Sequence, residues 1–150
     1  MLQWSDFKRA APDIAAIGER LLHNPDAGEV AILATVDHLG RPWVAPFCPV
    51  FADRGMYLLA AAETPKVRHL AANSAYALHA MVGTDDLEFQ VAGTTRLVRS
   101  VEERQAVITA VPFPSFDAND PIFELQIGRA LSVSWPKPGQ RQKLAWAHTE

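Results

Sequence analysis

The stretch from Val30 to Met81 constrains this chain more than any other. It holds three apolar runs, Val30 to Val36, Trp43 to Phe51 and Met56 to Ala62, divided by two short breaks, Asp37 to Arg41 and Asp53 to Gly55. Runs rich in β-branched and aromatic residues, joined across short glycine-containing breaks, read as successive antiparallel hairpins. The middle of the protein is therefore expected to be a meander. Val30 to Val36 is apolar at nearly every position. That predicts a strand covered on both faces, as in a small closed or half-closed barrel or at a subunit interface.

The second strand carries Pro42, Pro46 and Pro49. Each proline removes a ladder donor, so one side of this strand must be poorly paired. With Trp43, Phe47 and Phe51 beside them, the prolines allow two readings: a groove for a flat ligand, or an edge protected against aggregation,. Cys48, between Phe47 and Pro49, has no cationic neighbour in sequence and reads as a small buried hydrophobe,.

Directly after the third run comes Thr64-Pro65-Lys66. Threonine at the N-cap and proline at the first helical position start a helix that carries Val67, Leu70 and Ala71 and stops near Asn73 and Ser74,. The unpaired N–H groups of a helix start favour an anion, and Lys66 adds a full charge, so a phosphate would sit well at Thr64 to Lys66. The alternative is a plain cap on a surface helix with a solvated lysine.

The rest of the chain supports this centre. Residues 5–22 place Phe7, Ala11, Ile14, Ile17 and Leu21 at helical spacing, with Pro12 starting or kinking the main helix and Asn24 to Gly28 ending it in a turn,. Tyr76 to Val82 and Leu87 to Val98 read as strands joined by Gly83 to Asp86. Gln90 falls on the polar face of the second, and Gly93 marks a bulge,. Ser100 to Glu103 is a capping box that opens a helix through Val107, Ile108 and Val111,. The proline-rich loop Pro112 to Pro121, with Phe113 and Phe116, suits a lid or partner contact, or a plain crossover,. Ile122 to Trp135 is the last strand, with Gly128 as a second bulge; Pro136 to Lys143 reads as a basic turn and Leu144 to Glu150 as a short tail. The sum is a mainly β (α+β) chain of six strands and about three helices, an antiparallel barrel with helices outside.

Size and charge narrow the function classes. The 150 residues, 49% hydrophobic and 21% charged, suit one domain spanning 1–150,. A net charge of -3 without blocks of like charge argues against a dedicated nucleic-acid or anionic-membrane binder,. No basic start followed by an apolar segment is visible, and no apolar stretch approaches membrane-spanning length, so a cytoplasmic location is the default expectation,. HExxH, CxxC, GxSxG, P-loop and GxGxxG signatures are all absent,. The histidines are scattered: His79 reads as a structural residue inside a strand, His38, His69 and His148 as exposed, and no metal site is expected,.

The ordered series ATVDHLGRPW, then Gly55 and Met56 opening the next strand, then Thr64-Pro65-Lys66 with Leu70 and Asn73 downstream, resembles the FMN-binding split-barrel family typified by pyridoxamine 5'-phosphate oxidase. The likeness spans roughly Val30 to Val98. It implies a homodimer of six-stranded antiparallel split barrels with peripheral helices and FMN at the interface. By position, the second strand would contact the flavin through Ala45, Pro46, Phe47, Cys48 and Val50, and the third through Leu59 and Ala60. Thr64 and Lys66 would hold the phosphate, Gln90 would supply an amide, and Trp135 would meet the partner's cofactor.

This chain departs from the vitamin-forming oxidase where that enzyme carries cations. Ala45, Val50 and Pro65 stand where it has an arginine, a lysine and an arginine. Each charge-assisted phosphate bond contributes about 1.5 to 3 kcal/mol, so flavin should bind more weakly unless Arg68, Arg96 or Arg129 substitutes. The basic substrate-binding tail of that oxidase is not recognisable either, which argues against oxidation of pyridoxamine phosphate itself. The resemblance thus implies an FMN-dependent oxidoreductase of unassigned small-molecule substrate, with no side chain assigned to catalysis. The alternatives are a split barrel binding haem or a deazaflavin of the F420 type, and a non-catalytic flavin-binding dimer.

Overall fold

Hairpins require tight reversals, and the first is built by one carboxylate. The computed structural model describes residues 1–23, 29–83 and 85–149, so the turn expected at Asn24 to Gly28, and Thr84 of the Gly83 to Asp86 turn, lie outside the described residues. Between β1 (Ala31–Val36) and β2 (Pro42–Phe47), Asp37 accepts hydrogen bonds from the backbone N–H groups of Leu39 and Arg41 and from Arg41 Nε. These bonds, the Arg41 backbone N–H foremost, lower the Asp37 pKa to about 2,. Gly40 supplies the left-handed φ of 76° that the reversal needs,.

The other elements are α1 (Trp4–Ala10), α2 (Pro12–Leu22), β3 (Val50–Ala52), β4 (Gly55–Leu59), α3 (Pro65–Ala72), β5 (Ala75–Ala80), β6 (Glu88–Leu97), α4 (Val101–Ala110), β7 (Ile122–Lys137) and β8 (Gln140–Ala147). The strands form one antiparallel sheet in the order β2-β1-β5-β6-β7-β4-β3, with β8 also on β7. This order forces the sheet to roll. Six strand-to-strand steps of about 4.8 Å would set β2 and β3 roughly 29 Å apart if the sheet were flat. Only Cys48 and Pro49 join Phe47 to Val50, a link that reaches about 11 Å,. The two edges of the sheet are thus one piece of chain, and the result is a split barrel.

Several expectations change here. The second strand, expected to run unbroken to Phe51, is split at Cys48 and Pro49, because its two halves pair with different partners, β1 and β4. The third strand ends at Leu59 instead of Ala62. The basic turn and tail expected after Trp135 are the end of β7, a turn at Pro138 and Gly139, and the strand β8. Residues of β8 are exposed at nearly every position, so no apolar alternation announced it. The sheet therefore has more than the six strands expected, although the class stands. The segment 5–22 is two helices with Pro12 at the first position of the second.

The bulges expected at Gly93 and Gly128 are one irregularity. Ala92 pairs Arg129 and Gly93 pairs Ile127, so Gly128 is the extra residue on β7. A Cβ at Gly93 would lie 1.9 Å from the Gln126 carbonyl oxygen, so only glycine fits that approach,.

Two buried clusters result. The larger is lined by inward residues such as Leu33, Leu78, Phe89 and Leu125, with Trp4, Phe7, Ile14 and Leu22 of α1 and α2 and Val67 and Leu70 of α3 packed among them. The smaller gathers Val50, Tyr57, Leu59, Val98, Val107 and Ile122 around α4. The loop 112–121 is pinned to α4, since Arg104 donates to the Ala118 and Asp120 carbonyl oxygens at 2.8 and 2.9 Å, and Phe113 packs on the smaller cluster.

Candidate functional site

The helix α3 begins with a backbone geometry suited to a cap, yet Thr64 does not cap it. The Thr64 hydroxyl donates to the Ala61 carbonyl oxygen at 2.8 Å, and among the described residues no side chain caps the helix start. Those donors remain as the positive end of the helix. Lys66 is half-buried beside them, while Val67 and Leu70 anchor the helix in the core.

The second-strand candidates divide by face. Ala45 and Phe47 pair with Leu33 and Ala31 and point inward, and Phe47 is 7% exposed. Pro46 lies outward in a row that runs through Ile32, His79, Gln90 and Leu131 to Ala145, all in register across six strands. The next outward row is Val44, Ala34, Ala77, Ala92, Arg129 and Ala147. These residues are half-buried or exposed, and four of them, Gln90, Ala92, Arg129 and Leu131, line a shallow hollow of about 280 Å³. Pro46 and Gln90 are three strands apart, about 14 Å, a distance that one elongated planar ligand can bridge,.

Other candidates are placed differently. Val50 and Leu59, 1% and 8% exposed, are committed to the cluster beneath α4, so only their backbone can face a ligand. Ala60 leads from β4 towards α3. Cys48 is half-buried in the break, where burial, with the Glu29 carboxylate adding, pushes its thiol pKa up and weakens it as a nucleophile,. Trp135 is 44% exposed near the end of β7, four strands from β2, and so is not brought to the other candidates within one chain.

Of the arginines considered as substitutes, Arg96 is engaged elsewhere. Its Nε donates to Glu124 Oε2 at 2.8 Å and its terminal nitrogens to Glu103 at 2.5 and 3.1 Å. Arg68 donates to the Glu63 carbonyl oxygen, and Arg129 lies on the outward face. Sequence reasoning missed the Arg96 network altogether. Glu124 is fully buried, and its other oxygen accepts from Gln3 at 2.8 Å. Tyr57 donates to Glu103 at 3.1 Å; burial first, then Glu103, raise the phenol pKa above its ordinary value,. The Arg96 hydrogen bond comes first in holding Glu103 below the usual carboxylate range.

His69 was also misread as exposed. It is half-buried, with Nδ1 3.0 Å from the Thr35 hydroxyl and its ring edge-on to Trp43 at 6.1 Å. Nothing in its sequence neighbourhood signals this, because Thr35 lies 34 positions away. The half-buried His79 has Nδ1 2.6 Å from the Ala80 carbonyl oxygen. Among the described residues no group of three or more His, Cys, Asp or Glu side chains is arranged to hold a metal, and no helix is long and apolar enough to cross a membrane.

A rolled antiparallel sheet whose edges share one proline-broken segment, with an uncapped helix start beside it, defines the split-barrel class. Residues 21–132, more than half of the chain, match the pyridoxamine 5'-phosphate oxidase family, and the chain belongs to it. Its fold is similar to that of a pyridoxamine 5'-phosphate oxidase-related FMN-binding protein from Nostoc punctiforme, with a TM-score of 0.63 and 14% identity over 93% of this chain and 96% of that one. A nimC/nimA family protein from Clostridium acetobutylicum gives a TM-score of 0.64 and 16% identity over 97% and 95% of the two chains. A haem-binding protein from Mycobacterium smegmatis gives 0.62 and 17% identity over 85% of this chain, which spans 57% of that longer protein. At these identities the likeness is one of fold. Among curated proteins no sequence matches this chain.

Proposed function

We propose that this protein is a homodimeric FMN-dependent oxidoreductase of small organic substrates. The observation that carries this reading is the start of α3, where the Thr64 hydroxyl turns to Ala61 and leaves the helix N–H groups, with Lys66 alongside, for the terminal phosphate of FMN,. The outward rows supply the second requirement. Ala34, Ala77 and Ala92 form a patch of small side chains against which a planar ring and a second copy of the chain can lie, with Pro46 and Gln90 in the neighbouring row. FMN supplies the hydride and electron chemistry; the chain supplies binding, orientation and exclusion of water. No side chain of the site has to act as acid or base.

Haem is the competing ligand, favoured by the likeness to the haem-binding fold and by the half-buried His79 on the outward face. Titration of the purified protein with FMN, a deazaflavin and haem separates the readings. FMN is expected to bind with a perturbed flavin spectrum and to be reduced by a nicotinamide donor. Uptake of haem alone overturns the flavin assignment. Bound flavin that no donor reduces reassigns the protein as a non-catalytic flavin binder.

A further inference from the structure

One corner beside the proposed phosphate site is more elaborate than packing requires. The inward stripe of β1 is Ala31, Leu33 and Thr35, so Thr35 puts a hydroxyl, 4% exposed, at the end of an otherwise apolar row. That hydroxyl meets His69 Nδ1 at 3.0 Å. In register with Thr35 across β2 stands Trp43, whose indole lies at 77° to the imidazole. The ring is thus held on two sides by two strands, although it belongs to a third element.

His69 follows Lys66 by one helical turn, and the two half-buried side chains share one side of α3,. Helical side chains lean back over the turn N-terminal to their own Cα, so the imidazole leans towards the level of Lys66. When the Thr35 hydroxyl donates to Nδ1, the ring proton resides on Nε2, a donor with no partner among the described residues,.

We infer that His69 is a further binding residue for the phosphate monoester of the cofactor, with Nε2–H donating beside Lys66 and Thr35 acting as the positioning residue that sets its tautomer. This rests on the flavin reading and deepens it. It replaces part of the hydrogen bonding lost with the arginines that the vitamin-forming oxidase carries, and it makes the site selective for the phosphorylated flavin.

The test compares FMN with riboflavin, which shares the ring and ribityl chain and lacks the phosphate, in titrations of wild type, His69→Phe and Thr35→Val. Circular dichroism checks that each variant is folded. His69→Phe keeps a flat ring and removes the donor. It should weaken FMN about tenfold, the effect of one charge-assisted hydrogen bond, and leave riboflavin unchanged. Thr35→Val should give a smaller loss that is again confined to FMN. Inorganic phosphate should compete with FMN less effectively in both variants than in wild type. Equal weakening of both flavins in His69→Phe, or no change in either, overturns this inference while wild-type preference for FMN keeps the flavin reading. A wild-type protein that does not distinguish FMN from riboflavin removes both.

Discussion

Glu124 is the residue on which local stability turns. A fully buried carboxylate survives only where partners replace its water, and Gln3, Arg96 and Gln126 do so here,. Arg96→Met leaves that charge without its cation. Removing one partner of a buried pair costs about 3 to 5 kcal/mol, and the 41% exposure of Arg96 places this case at the lower end,. For a chain of this size a loss of about 3 kcal/mol lowers Tm by roughly 6 to 12 °C, measurable by calorimetry. The effect also carries a pH sign. Because Arg96 holds Glu103 below the ordinary carboxylate value, that contribution is complete above the ordinary value and is lost as pH falls through the depressed one,. The gap between wild type and Arg96→Met should therefore narrow in acid.

At the scale of elements, the strands β6 and β7 carry the bend. Gly93→Ala would drive a methyl into the Gln126 carbonyl oxygen, a backbone atom that cannot step aside. Overpacking typically costs about 1 to 3 kcal/mol, and a backbone obstacle puts this substitution at or beyond the top of that range. Chemical denaturation of Gly93→Ala measures it. The bend was legible in the sequence because a glycine inside a strand has few other uses. The apolar hairpins were equally legible, since Val, Ile and aromatic residues announce a half-buried strand wherever they occur. The strand β8 was not, because Gln140 to Lys143 carry no buried face and pair only through their backbone. Nor was the break at Cys48 and Pro49, which depends on two remote strands competing for one segment. In the candidate site, Thr64 and Lys66 could be read from helix-start chemistry. His69 could not, since its partner is set by how α3 lies over β1.

For the whole molecule, the proposed dimer is tested on the outward sheet face. The register Ala34, Ala77, Ala92 leaves a shallow stretch of small side chains, where an added long side chain is accommodated in a single chain and would obstruct the close apposition of two that the proposed dimer needs. Ala77→Arg should keep its circular dichroism, sediment as a monomer and lose FMN binding. A variant that still sediments as a dimer would place the interface elsewhere. The rolled sheet has one further property. Its margins are held together by two residues of covalent chain, so a permuted protein whose new termini open between Cys48 and Pro49 would keep every ladder while losing the clasp. Such a ribbon could unfurl, and hydrogen exchange in its outermost strands would report how far backbone pairing alone preserves a barrel's curvature.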